Sequence, residues 1–221
     1  MLAKDFVSDL IPAVTVMESA NQVVRRMCEF KVSHLPVLEG ADYLGLISEK
    51  DIRNLADQNQ LIGANSVRFS ETSVMESQHI YEVIDTISRH DLTVLPVLTS
   101  GKKYLGCITL PALVKAFSLL CAAGQPGAIL VLSLGLQDYS PTMLSRIIED
   151  NHAKIVSLYV IPDQNGRELI VTIKVNTQET SSIMRSFDRY GYTVKSYYLA
   201  NSQLDDFYRT RYEELMKYMN I

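Results

Sequence analysis

At 221 residues the chain is long for one small core and comfortable for two, and 47% hydrophobic with 21% charged residues excludes a disordered or low-complexity protein. A net charge of −4, with 21 Lys and Arg scattered among 25 acids, leaves no basic face for nucleic acid. The opening MLAKDFVSDLIP lacks a long apolar run, and Gly127–Leu136 is too short to span a bilayer, so a cytoplasmic protein with no membrane segment is expected.

In chain order, the segment near 10–57 recurs near 69–118. HLPVL at His34–Leu38 returns as VLPVL at Val94–Leu98, and YLGLIS at Tyr43–Ser48 as YLGCIT at Tyr104–Thr109. The offset is 60 at the first anchor and 61 at the second, which places one extra residue in the turn between Leu98 and Tyr104. The repeated VMES (Val16–Ser19, Val74–Ser77) asks instead for 58, but that alignment sets Val23, Val24 and Met27 against Tyr81, Glu82 and Asp85. At 60 they meet Val83, Ile84 and Ile87, so both copies carry one apolar helical stripe and the VMES match is chance. Each copy predicts helix (Ala20–Phe30, Ile80–His90), strand, turn, strand and second helix, a β-α-β-β-α unit whose apolar strands need helices over them and a sister copy beside them. Cys28, Cys107 and Cys121 are widely spaced among apolar neighbours, without a CxxC, and are expected as buried thiols rather than metal or redox groups.

The duplicated LPV strand followed by G-h-h-S/T-x-x-D, here Gly45-Leu46-Ile47-Ser48-Glu49-Lys50-Asp51, resembles the CBS domain, whose pairs form a Bateman module. The resemblance covers roughly Leu10 to Leu120 and implies an adenosine-containing ligand (AMP, ADP, ATP or S-adenosylmethionine) in the cleft between repeats, with no cofactor required. It implies ribose contacts for Ser48 and Asp51, adenine contacts for Val14, Val32 and Pro36, and phosphate contacts for Ser33, His34 and Lys50. A carboxylate in a first helical turn is also favoured by the helix dipole. The same Ser48 and Asp51 equally make an N-cap and its N3 partner, worth about 1 kcal/mol with no ligand, and the two roles are compatible. His34 reads either as a ligand contact or as a boundary residue beside an apolar strand. The second copy departs from the pattern: Thr109-Leu110-Pro111-Ala112 has Ala112 where the carboxylate should stand, and Val94 replaces His34, leaving Thr93 and Thr109 as polar candidates. At most one complete site per chain is expected.

Gly124, Pro126 and Gly127 mark a boundary, giving domains at 1–123 and 124–200 and a tail at 201–221. Strand Ala128–Leu136, Ser140-Pro141 opening helix Thr142–Asn151, strands Lys154–Ile161 and Glu168–Asn176 around a PDQNG turn, helix Thr180–Tyr190 and strand Val194–Leu199 give βαββαβ, a ferredoxin-like order. After CBS repeats this resembles an ACT domain, and the whole resembles the acetoin-utilisation accessory proteins. The ACT turn that holds amino acids has Asp then Gly; here Asp138 precedes Ser140 without the glycine, so the domain reads as structural or dimerising, or as an amino-acid site. Beyond Asn201, Leu204, Phe207, Tyr208, Arg211, Tyr212, Leu215 and Met219 trace an amphipathic helix that packs on its own domain, on a sister chain or on a partner.

The fold class expected is therefore α/β (α+β), a CBS pair followed by a ferredoxin-like domain. No P-loop, GxGxxG, GxSxG, HExxH or metal-spaced cluster occurs, and His34, His79, His90 and His152 lie apart, so no catalytic or metal site is expected. Two functions remain: a homodimeric sensor of an adenosyl ligand that acts on the ACT-like part or a regulated protein partner, and a ligand-free dimeric scaffold.

Overall fold

Strand register sets the internal repeat at an offset of 60. In the first copy β1 (Val14–Thr15) runs parallel to β2 (His34–Glu39) with Val14 opposite Val37; in the second β4 (Val74–Met75) runs parallel to β5 (Val94–Leu98) with Val74 opposite Val97. The computed structural model describes residues 1–55, 57–64 and 67–199, in two units, Met1–Phe117 and Ser118–Ile221. The amphipathic segment read from 201 onward lies outside the described residues.

In the first unit α1 (Ala20–Phe30) and α3 (Ile80–His90) bury Val23 and Met27, and Val83 and Ile87, the matching stripe positions. Both start on capping boxes: Ser19 Oγ accepts Gln22 N–H, while at α3 His79 Nδ1 takes the cap and accepts Tyr81 N–H. Both end on a left-handed residue, Lys31 (φ 53°) and Asp91 (φ 50°). β2 pairs antiparallel with β3 (Asp42–Ser48) and β5 with β6 (Tyr104–Thr109), giving one three-stranded sheet per copy; α2 (Glu49–Arg53) and α4 (Leu110–Leu120) follow. Cys28 corrects an expectation. It sits one position past buried Met27 on α1, off the apolar stripe, and is exposed, whereas Cys107 is buried and Cys121 half-buried.

The copies are joined by a reciprocal exchange of their leading segments. Residues 1–8 precede the first copy but lie on the second: Ala3 N–H donates to Gln78 O (2.8 Å), and Ser8 and Cys107 exchange both backbone bonds (2.9 and 3.1 Å). Residues 58–64 and 67–70 precede the second copy but lie on the first: Ala20 N–H donates to Gln60 O (2.9 Å), and Leu46 and Ser70 exchange bonds of 2.7 and 2.9 Å. Each crossing passes over the glycine of the YLG motif. Gly45 has φ +146°, and a Cβ there would stand 2.6 Å from Phe69 Cβ and 2.9 Å from Ser70 O; Gly106 has φ +147°, and a Cβ there would stand 2.5 Å from Val7 Cγ1. Only glycine tolerates both the conformation and the approach.

The second unit is an antiparallel sheet in the order β10-β7-β9-β8, formed by β7 (Ala128–Gly135), β8 (Ile155–Pro162), β9 (Glu168–Val175) and β10 (Thr193–Leu199). With α5 (Pro141–Asp150) and α6 (Ser181–Arg189) between strands, this is the ferredoxin-like topology. Leu130, Leu132, Ile147, Ile173 and Phe187 meet in its core. Lys174 on β9 is 7% exposed, and its Nζ donates to Ala122 O (2.5 Å) and Ala123 O (3.2 Å), fastening the turn after α4 to this sheet.

Candidate functional site

The ends of β2 and β3 lie side by side because the hairpin register sets His34 opposite Ser48. The end of α3 in the second copy reaches the same place. The result is a cleft of about 640 Å³ lined by Ser33, His34, Ser48, Glu49, Lys50, Arg53, Asn54, His90 and Asp91. Of the residues expected there, Ser33, His34, Ser48 and Lys50 line it. Glu49, Arg53, Asn54, His90 and Asp91 were not singled out from sequence; the last two come from the other copy, and no local pattern announces a contact made across the repeat. Val14 and Pro36 are buried and Val32 half-buried, and none of the three lines the cleft.

His34 and Thr93 tie the two copies together. Ser33 N–H donates to Thr93 Oγ1 (2.9 Å), Thr93 N–H donates to His34 Nδ1 (3.3 Å), and Thr93 Oγ1 lies 3.1 Å from the same nitrogen. Thr93 therefore spends its hydroxyl on the first copy. An Nδ1 that accepts a backbone N–H carries no proton, so the neutral ring keeps its proton on Nε2. Burial pushes the His34 pKa below its ordinary value, opposed by the nearby Asp51 carboxylate. A histidine with a depressed folded-state pKa adds stability that is present above the unfolded value and lost as pH falls through the folded one. Urea midpoints should thus drop more between pH 7.5 and pH 5.5 for the native protein than for His34→Val, which copies Val94; equal drops would remove His34 from the pH response.

Ser48 and Asp51 form the cap that the sequence allowed. Ser48 Oγ donates to Asp51 Oδ2 (2.6 Å), Asp51 N–H donates to Ser48 Oγ (3.1 Å), and Ser48 N–H donates to Oδ2 (3.3 Å). Among the described residues no hydrogen bond reaches the other carboxylate oxygen, Oδ1, and Asp51 itself does not line the cleft. Arg53 is held by Glu49 at 2.5 Å, an exposed pair of little energetic weight, whereas Lys50 is exposed and makes no ion pair among the described residues. In the second copy Thr109 Oγ1 accepts Ala112 N–H (3.3 Å), so the cap persists there without a carboxylate.

In the second unit Ser140 Oγ caps α5 by accepting Met143 N–H (3.3 Å). Asp138 and Gly135 stand at a separate cleft of about 390 Å³ with Tyr190, Gly191, Tyr192 and Thr193. The glycine missing after Asp138 has a counterpart before it: a Cβ at Gly135 would stand 2.5 Å from Asp138 Oδ2. Among the described residues, no group of three or more His, Cys, Asp or Glu could hold a metal ion, and no helix is long and apolar enough to cross a membrane.

Residues 3–57 and 70–119 match the CBS domain family model. Similar solved structures include a CBS domain pair/ACT domain protein from Thermotoga maritima, 20% identical, covering 53% of this chain and 96% of that one with a TM-score of 0.48. CBSX2 in complex with AMP is 20% identical over 52% of this chain and 95% of that one (TM-score 0.45). A signal-transduction protein with CBS domains from Burkholderia ambifaria is 22% identical over 53% and 93% (TM-score 0.44).

Proposed function

From the premise that the chain carries a tandem pair of CBS domains, regulatory and ligand-binding modules, we propose that it is a non-enzymatic cytoplasmic sensor of an adenosine-containing ligand. The ligand sits in the cleft between the copies and the response passes to the ACT-like unit or to a protein partner. The observation that carries this reading is the cleft itself, where Ser33, His34, Ser48 and Lys50 meet the end of α3, with the Asp51 carboxylate near enough to act on His34. The missing carboxylate at Ala112 supports one such site per chain. The order of domains supports kinship with the acetoin-utilisation accessory proteins, and the Asp138 cleft is a second, amino-acid-sized candidate.

A ligand that binds only the native state raises the melting temperature, by the equivalent of about 2.7 kcal/mol at a hundredfold excess over Kd. A thermal-shift series with AMP, ADP, ATP, S-adenosylmethionine and amino acids should therefore give a shift with an adenosyl compound. No shift with any of them would favour the scaffold reading, which the closed Ser48–Asp51 cap supports. Both readings include a homodimer. Leu110, Val114 and Phe117, exposed at i, i+4 and i+7 on α4, support one, and sedimentation as a monomer at micromolar concentration would count against it.

A further inference from the structure

We propose that the sheet face of the second unit opposite α5 and α6 is the docking surface for the chain's own C-terminal segment, residues 201–221, which keeps that face from a second copy. An antiparallel sheet with one solvated face alternates apolar and polar residues along its strands. β7 does not: Ala128, Leu130, Leu132 and Leu134 point into the core with the helices, yet Ile129 and Val131 between them are apolar too. Register lines these up with the outward residues of the other strands. Tyr198 lies beside Ile129, Val131 faces Tyr159 across Thr172, and Ile170 pairs with Ile161. The result is an apolar band running diagonally from Tyr198 on the edge strand β10 to Ile161 on the edge strand β8. Ile129, Val131, Tyr159 and Ile170 are half-buried along it, and both of its ends are exposed, Tyr198 by 58% and Ile161 by 57%. A contiguous apolar band of this kind marks an interaction surface.

The corners of the face off this diagonal are polar and already engaged. Lys174 Nζ and Ser157 Oγ donate to the carbonyls of the turn after α4, and Ser133 Oγ donates to the Glu168 carboxylate. The apolar track left between them starts where the chain leaves β10. Three strand spacings of about 4.8 Å and four residues of about 3.4 Å make it about 20 Å long. Leu204 to Met219, wound as a helix, measures about 22 Å. In such a helix Leu204, Tyr208, Tyr212, Leu215 and Met219 share one side, and Asp206, Arg209, Glu213 and Lys217 share the other. Few residues separate Leu204 from Leu199 at the end of β10, so the segment meets the face at an effective concentration of about millimolar, well above that of a second copy in dilute solution.

The test is photo-cross-linking of the full chain with Ile161, at the far end of the track, replaced by benzoylphenylalanine, and with the cross-linked peptides mapped by mass spectrometry. The expected product joins position 161 to the last part of the segment, Tyr212 to Met219, within one chain. Mixing isotopically light and heavy chains separates that product from a cross-link to a second copy. Leu215→Asp should cut the yield about tenfold, since it places a charge in the apolar seam, and should raise binding of an apolar dye. Arg209→Glu, on the polar side of the segment, should leave the yield as it was. Cross-links that join two chains, cross-links to any other segment, or a yield indifferent to Leu215→Asp would overturn the proposal.

Discussion

Gly45→Ala is expected to destabilise the first unit by about 2–4 kcal/mol, enough to lower its melting temperature by roughly 10 °C or more. The added methyl would meet Phe69 Cβ at 2.6 Å and the Ser70 carbonyl at 2.9 Å, and the backbone at φ +146° already disfavours any side chain. Ser70 cannot retreat cheaply, because it exchanges two backbone bonds with Leu46, next to the glycine. Gly40→Ala is the control: it too has a positive φ, +61°, but nothing lies within 4 Å, so only the conformational cost of about 1 kcal/mol applies. Urea unfolding of the two variants should separate them by at least 1 kcal/mol, and equal midpoints would mean that the crossing segment yields freely.

Asp51→Ala is expected to weaken adenosyl-ligand binding by at least tenfold, the loss of hydrogen bonds to a charged acceptor. Its Oδ2 is engaged by Ser48, so in the proposed binding mode a ribose hydroxyl would meet Oδ1. The unliganded variant should lose only about 1 kcal/mol of stability, since Ser48 Oγ still accepts the N–H of residue 51. Asp51→Asn keeps the shape without the charge and should fall between the two. Calorimetry that returns the native Kd for Asp51→Ala would place the ligand elsewhere.

Local signals were legible wherever a short-range pattern decides the outcome. α1 and α3 follow from a stripe with a helical period, whereas the caps that fix their starts, Ser19 and above all His79, come from the structure. The hairpins follow from duplicated apolar runs, and α5 from Ser140-Pro141. The leading segments 1–8, 58–64 and 67–70 were not legible: they have no period of their own and are held by backbone bonds to residues far along the chain. Their one trace in the sequence is the glycine in both YLG motifs. The cleft divides the same way, since Ser48 and Lys50 follow from the motif, whereas His90 and Asp91 enter it from the other copy. Thr93 looked like a mirror of Ser33 and proved to be its partner.

The crossed leading segments bear on how such a chain arises. A half-length fragment, cut to hold one copy and its own leader, would have an uncovered glycine on its second hairpin strand and a leader with nothing of its own to lie on. Two identical fragments complete each other, because the exchange is reciprocal. The first unit is then, in physical terms, a near-symmetric pair joined by one peptide connection. Two copies within one chain need not match, and here they differ, with a carboxylate at Asp51 and none at Ala112.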